Sequence, residues 1–407
     1  MKLITKTLPE RNRREQINDK RIGGDVGMKA GWVKLPFVDV ILDESGGNIK
    51  TPQREFLISG HFAVVDQGKN LVSGYVDNKS CLCKASLPVI VFGDHTRCFK
   101  FVDFPFCMGA DGVKVLRPKV EADVKYLFYY LRQLNLPDGG YDRHFKYLKR
   151  SHVLLPPLEE QKRIAEILDR AEGLRAKRRE AIAQLDTLTQ SIFLEMFGDP
   201  VRNPKGWKIL NFGEIALEKG LIVDGPFGST LKPESYVEAG VRVIRNFNIN
   251  DAFFDGSKFV YITIKKFAEI YRSHVCTGDI LLSTKGTIGD VCVMPNLLGD
   301  SVLSASGTVR IRLPINSPLI ADFIVYQMIQ SSYKQYMKSF EAGTNQKYLN
   351  LSRIRQMELI VPSLNLQQEF ARRVEAVEKL KTAHRASLSE LDALFASLQH
   401  RAFRGEL

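Results

Sequence analysis

Two stretches of this 407-residue sequence set cations and hydroxyls among aromatic or small residues. The first, FGDHTRCFKFVDFPF from Phe92 to Phe106, puts His95, Thr96, Arg97 and Lys100 between aromatics. Arginine offers a bidentate fork suited to phosphate or a guanine edge, and lysine a mobile charge. A hairpin with a polar tip and a packed aromatic face would read the same way. The second, GDILLSTKGTIGDVCV from Gly278 to Val293, runs an apolar strand into Ser283-Thr284-Lys285-Gly286-Thr287. Here the plainer alternative is an ordinary glycine-bearing hairpin.

The two stretches fit one template. Each is followed by a small-residue turn into another strand (GADGVKVL from Gly109, ASGTVRIRL from Ala305) and then by an aromatic-rich helix. A polar loop comes next: GGYDRHFKYLK from Gly139 carries Arg143, His144 and Lys146, and AGTNQKYLNLSR from Ala342 carries Asn345, Gln346 and Lys347. Asparagine and glutamine pair with adenine in the major groove, as arginine pairs with guanine. Lys232 and Arg245 complete the candidate set. For any one of these residues, a solvated loop charge is the competing explanation.

No catalytic constellation accompanies them. The sequence lacks a G-x-x-x-x-G-K-[ST] phosphate loop, a G-x-S-x-G elbow, an H-E-x-x-H metal motif and the Asn/Asp-Pro-Pro-aromatic tetrapeptide of amino-methyltransferases. Its seven histidines are scattered, so a metal site is not expected. The excess of 58 Lys+Arg over 46 Asp+Glu, a formal charge of +12, suits a polyanionic partner. No run approaches the roughly 18 apolar residues of a membrane span. The charged start MKLITKTLPERNRREQ leaves no secretory h-region. With six cysteines and no C-x-x-C, a reduced cytoplasmic protein is expected.

The elements that must position these loops are duplicated. Leu155–Phe197 and Val361–Phe403 align without a gap at an offset of 206, with Pro156 on Pro362, Gln161 on Gln367 and Leu185-Asp186 on Leu391-Asp392. A weaker match pairs Gly31-Trp32 with Gly206-Trp207 at an offset of 175. Each half is thus a variable block followed by a constant segment. Apolar residues recur in heptads along both constant segments, with Ile164, Ala171, Arg178, Leu185 and Ile192 at a and Leu174 and Leu188 at d. The second copy sets Phe370, Val377, His384, Leu391 and Leu398 at a, with Leu380 and Leu394 at d. Each reads as a helix of roughly 55–60 Å at about 1.5 Å per residue. Equal length and matching heptads favour the two packing on each other over two separate amphipathic helices.

Short β runs at Val89–Phe92, Val113–Leu116, Ile280–Leu282 and Val309–Arg312, with one helix from Asp123 and one from Ala321, make the variable blocks α+β. The expected organisation is a basic N-terminal extension (1–30), two small α+β domains (31–154 and 201–360) and two long helices (155–200 and 361–407).

These features resemble the specificity (S) subunit of type I restriction–modification systems. The carrying residues are LPPLEEQKRIAEILD from Leu155, VPSLNLQQ from Val361, GDILLSTKGTIG from Gly278, FGDHTR from Phe92 and the twin Gly-Trp openings. The resemblance spans residues 31–407, and the second helix start departs from it as PSLNLQQ in place of PPLEEQ. It implies two target-recognition domains on an antiparallel helix pair with a pseudo-twofold internal repeat. Each domain would read half of a split, asymmetric site in double-stranded DNA, the helices setting the gap. It also implies that this chain is not itself an enzyme and carries no cofactor. Two methyltransferase subunits would use S-adenosylmethionine to modify adenine at N6, and two restriction subunits would use ATP and magnesium. Gln161, Ile164, Leu174, Arg178, Leu185, Gln367, Phe370, Leu380 and Leu391 would serve the spacer and hold partner subunits. The residues alone also admit an independent regulator reading a split operator, a nuclease–methyltransferase acting alone, or a basic coiled-coil scaffold.

Overall fold

Apolar runs buried on both faces build the two central sheets. A computed structural model describes residues 29–110, 112–137, 143–305, 307–343 and 346–407. Most of the expected 1–30 extension, part of the loop from Gly139, and Asn345 fall outside these residues. The chain divides into two units, and the division cuts across both long helices: the first unit ends at Lys177 and regains Ser387–Leu407, the second is Arg178–Ala386.

In the first unit, β1 (Ile41–Asp43), β2 (Val89–Gly93), β3 (Phe99–Val102) and β4 (Val113–Pro118) form an antiparallel sheet in the order β1-β4-β2-β3. Successive side chains of β2 face opposite ways. Val89 and Val91 enter a core with Val65, Phe106 and Met108 of a neighbouring mixed sheet, while Ile90 and Phe92 enter another with Tyr126 and Leu127 of α1 (Val124–Gln133). The Asp123 side chain caps α1 by accepting from Tyr126 N at 2.7 Å. Helix α2 (Leu158–Phe197) follows Pro156-Pro157 and runs on into the second unit.

The second unit repeats the plan. Strands β5 (Ile222–Asp224), β6 (Ile280–Ser283), β7 (Val291–Val293) and β8 (Thr308–Ile311) lie in the order β5-β8-β6-β7, again antiparallel. Ile280 and Leu282 face one core, Leu281 another. The single helix expected from Ala321 is two, α3 (Ala321–Met328) and a second over Ser331–Lys338. Gln330, extended at φ −61° and ψ 140°, breaks the path between them. Helix α4 (Leu364–Ala402) follows Pro362 and continues into the first unit.

The repeat survives at the level of single hydrogen bonds. Gln161 Oε1 accepts from Asp123 N at 2.9 Å, and its Nε2 donates to Pro156 O at 2.8 Å. Gln367 Oε1 accepts from Ile320 N at 3.0 Å, and its Nε2 donates to Pro362 O and Pro318 O, both at 2.9 Å. Each buried glutamine thus ties the root of a long helix to the start of the domain's own short helix. In both units the end of a long helix seats on that short helix through aromatics: Phe403 on Tyr126 at 5.7 Å, Phe197 on Phe323 at 4.8 Å between ring centroids.

Within each unit the long helices pair antiparallel. In the first, Arg175 Nε meets Asp392 Oδ1 at 2.6 Å and stacks on Phe395. In the second, Lys381 Nζ meets Asp186 Oδ1 at 2.7 Å and Phe193 packs edge-on to Phe370. The helices pack on the expected a positions but not on d. Leu174, Leu188, Leu380 and Leu394 are 54%, 45%, 54% and 49% exposed. The covered stripe is a plus the position four residues on, where Leu168, Thr189, Val374, Lys381 and Phe395 are buried. The cause is the domain beside each helix: Leu168 and Val374 are part of the domain cores, which rotates each helix toward its domain.

Candidate nucleic-acid interface

The two stretches singled out by sequence occupy one backbone frame. In the first domain, Asp94 N donates to Gly112 O at 2.6 Å and Asp94 O accepts from His144 N at 2.8 Å. In the second, Thr284 N donates to Gly307 O at 2.7 Å and Thr284 O accepts from Leu349 N at 3.1 Å. His95 therefore stands where Lys285 stands. An amide flanks each loop: Gln67 Oε1 accepts from His95 N at 3.4 Å, and Asn246 Nδ2 donates to Lys285 O at 2.6 Å. Gly112 and Gly307, at φ 75° and 82°, sit under these amides. A Cβ at Gly112 would come within 2.7 Å of Gln67 Oε1, so the left-handed turn and the close approach both require glycine.

The first-domain residues separate into two groups. Thr96, Arg97, Arg143 and Lys146 are exposed and His95 is partly so. Thr96 Oγ1 donates to Gln67 O at 2.5 Å, and Arg97, itself left-handed at φ 61°, lies 3.5 Å from Leu136 O through Nη1. Lys100 and His144 are buried. Lys100 Nζ donates to Asp66 O at 2.7 Å and lies 3.3 Å from Asp66 Oδ1. Burial draws the Lys100 amine below its ordinary value. Burial pushes the Asp66 carboxyl upward, but hydrogen bonds from Ser73 and Gly68 and the Lys100 charge outweigh it and hold Asp66 below the usual carboxylate range. His144 holds Asp94 O through Nδ1 at 2.9 Å. These two residues brace the loop from inside rather than facing solvent, because each is consumed by a partner distant in sequence.

In the second domain Lys232, Thr287, Gln346 and Lys347 are exposed, Arg245 and Lys285 are partly covered, and Thr284 is buried. Thr287 Oγ1 lies 3.2 Å from Ser283 Oγ, and Lys347 pairs with Glu341 at 3.0 Å. Lys285 Nζ stands 5.9 Å from the centre of the Tyr348 ring, at a cleft of about 320 Å³ lined also by Gly225, Phe227, Thr284 and Gly307. Asp224, the one carboxylate in that lining among the described residues, is tied to Arg272 at 2.5 Å. An adjoining open cleft is lined by Tyr236, Arg245, Asn246 and Phe247. Sequence reasoning missed Phe227, Phe247 and Tyr348, all exposed rings. The available signal was the turn Asp224-Gly-Pro-Phe-Gly-Ser229, which sets an aromatic at a glycine-flanked tip.

The helix residues behave differently. Ile164 and Phe370 are buried, and Leu185 and Leu391 are half-covered. Arg178 Nη1 lies 2.7 Å from His384 Nδ1. Leu174 and Leu380 face outward. No group of three metal-ligating side chains occurs among the described residues, and no described helix is long and apolar enough to cross a membrane.

Paired α+β domains that present chemically different loops from one frame, on a duplicated helix plan, define a bipartite recognition module. Comparison with known proteins agrees. Residues 62–184 and 228–392 match the type I restriction modification DNA specificity domain, and the chain belongs to that family. It is 23% identical over 314 residues to the type I restriction enzyme MjaVIII specificity subunit of Methanocaldococcus jannaschii, covering 72% of this chain and 73% of that one. It is 23% identical over 374 residues to the EcoR124I/EcoR124II specificity subunit of Escherichia coli, covering 88% of each. The crystal structure of the type I S subunit from M. genitalium superposes with a TM-score of 0.54 at 16% identity, over 94% of this chain and 98% of that chain. The matched family is one of DNA specificity, a recognition role.

Proposed function

We propose that this chain reads a split, asymmetric site in double-stranded DNA, one half-site per domain, and brings methyltransferase and restriction subunits, two of each, to it. The observation that carries this reading is the shared loop frame. Identical backbone bonds hold Asp94-His95-Thr96-Arg97 in one domain and Thr284-Lys285-Gly286-Thr287 in the other. A constant frame with interchangeable side chains is what two different half-sites require. The readers in the first domain are His95, Thr96, Arg97, Arg143 and Lys146, braced by Lys100 and His144. In the second they are Lys232, Arg245, Lys285, Thr287, Asn345, Gln346 and Lys347, with Thr284 fixing the loop.

The long helices set the unread gap. The half-exposed leucines offer an apolar face to partner subunits: Leu174 and Leu394 belong to the first unit, Leu188 and Leu380 to the second. S-adenosylmethionine, ATP and magnesium act on those partners.

The test is selection of binding sites from randomised duplex by the full chain together with its methyltransferase partner. The expected product is a bipartite motif of fixed gap. Lys285→Ala and Arg97→Ala should each weaken binding, with a salt slope lower by about one if the side chain touches phosphate, or relax preference at one base of its own half-site if it reads an edge. Four residues inserted after Leu185 should change the gap and leave both half-sites as they were. Selection of an altered half-site with the old gap would overturn the spacer role.

A further inference from the structure

Strand pairing extends the match between the domains. Leu116 and Ile311, each four residues past the shared glycine, pair with Asp43 in the first domain and with Ile222 in the second. Counting on from these pairs, Asn48 stands where Phe227 stands. Arg143, immediately before His144, stands where Tyr348 precedes Leu349. The same frame therefore carries polar side chains, Asn48 and Arg143, in the first domain, and two aromatic rings beside a lysine in the second; the Asn48 amide is taken up by Glu44 O and Lys84 N.

Phe227 is 77% exposed, yet its backbone is fixed. Its carbonyl accepts from Thr230 N at 2.8 Å and Leu231 N at 3.3 Å. At the root of the turn, any Cβ on Gly225 would collide with the Ser304 carbonyl oxygen. A rigid turn that holds a phenyl ring in water gains nothing from folding, since the ring stays hydrated. The apolar group that duplex DNA presents in its major groove is the thymine 5-methyl.

We propose that the half-site read by the second domain contains an A·T pair whose thymine methyl packs on Phe227, with Tyr348 as the facing wall and Lys285 beside it, and that the first domain makes no counterpart contact. This rests on the chain being a DNA reader. It adds which base pair the second reader demands and which residue demands it.

The test uses the full chain with its methyltransferase partner and duplexes carrying the mapped site, each thymine replaced singly by deoxyuridine, which removes only the methyl. At one thymine the replacement should weaken binding about three- to fivefold, the effect of one buried methyl group. Phe227→Ala should bind the thymine duplex as weakly as the wild type binds the deoxyuridine duplex, and should be indifferent to the replacement. Phe227→Leu should recover part of the discrimination, which a folding defect would not allow. A site in which no thymine responds, or one in which the response persists unchanged in Phe227→Ala, overturns the proposal. Failure of the underlying reading looks different: the wild type would then prefer no duplex sequence at all.

Discussion

Arg178 Nη1 donates to His384 Nδ1 across 2.7 Å, and these two residues are the same position of the internal repeat, 206 residues apart. The ion pairs on either side are repeat copies of each other too, since Arg175–Asp392 maps onto Lys381–Asp186. The guanidinium can only donate, so Nδ1 is the acceptor of this pair. Two polar residues at seam positions fix register at a cost in stability. His384→Ala, which strands the Arg178 guanidinium, should therefore lower stability by about 1–2 kcal/mol. The double replacement Arg178→Leu/His384→Leu should raise it by about 1–3 kcal/mol. Thermal melts of the two variants decide the matter, and a double variant less stable than the single one contradicts the assignment.

The glutamines at the helix roots should act locally. Gln161→Ala leaves Asp123 N without its acceptor and should cost about 1–2 kcal/mol. Faster amide exchange should follow around Val124–Gln133 and not around Ala321–Met328. Gln367→Ala should give the mirror result. Exchange that rises equally in both regions would show that the glutamines support something larger than their own domain.

The Asp66–Lys100 pair predicts an acid dependence confined to the first domain. The folded carboxyl sits below its usual range. Its contribution is therefore complete above the unfolded value of about 3.9 and is lost as pH falls through the lower folded value. Asp66→Ala, which leaves a buried ammonium unpaired, should cost about 2–4 kcal/mol at pH 7. That cost should begin to shrink below about pH 4 and vanish once pH falls past the lower folded value, where the folded wild type loses the same carboxylate. A cost independent of pH down to acid unfolding would assign it to packing.

The outward leucines should matter to assembly more than to folding. Leu174→Asp with Leu394→Asp, or Leu188→Asp with Leu380→Asp, replaces side chains that are already about half exposed. Melting temperature should move by only a few degrees, while capture of the methyltransferase subunit falls by an order of magnitude or more. Unchanged capture in both double variants would place the partner elsewhere.

The strands and long helices were legible because their patterns are unambiguous. Val89–Phe92 and Ile280–Leu282 are apolar on both faces, as a sheet covered on both sides requires. The choice of helix face was not legible. A heptad reports which residues are apolar, but Leu168 and Val374 are claimed by the domain beside each helix, and that claim appears only in three dimensions. The same holds for Lys100, whose partner Asp66 lies 34 residues away in sequence, and for His144, buried on Asp94 at a separation of 50. Phe227 escaped for the opposite reason: residue type alone does not separate a phenylalanine held in solvent from one in a core, and only the glycine-bearing turn around it marks an exposed tip.

The central claim is that this chain chooses where a methyltransferase acts. The most direct measurement is a genome-wide map of N6-methyladenine by single-molecule sequencing, in cells with and without the gene and with the methyltransferase subunit expressed in both. One split, asymmetric motif should be methylated with the gene and unmethylated without it. Methylation that persists at every split motif after deletion, or disappears only from a contiguous one, contradicts the account.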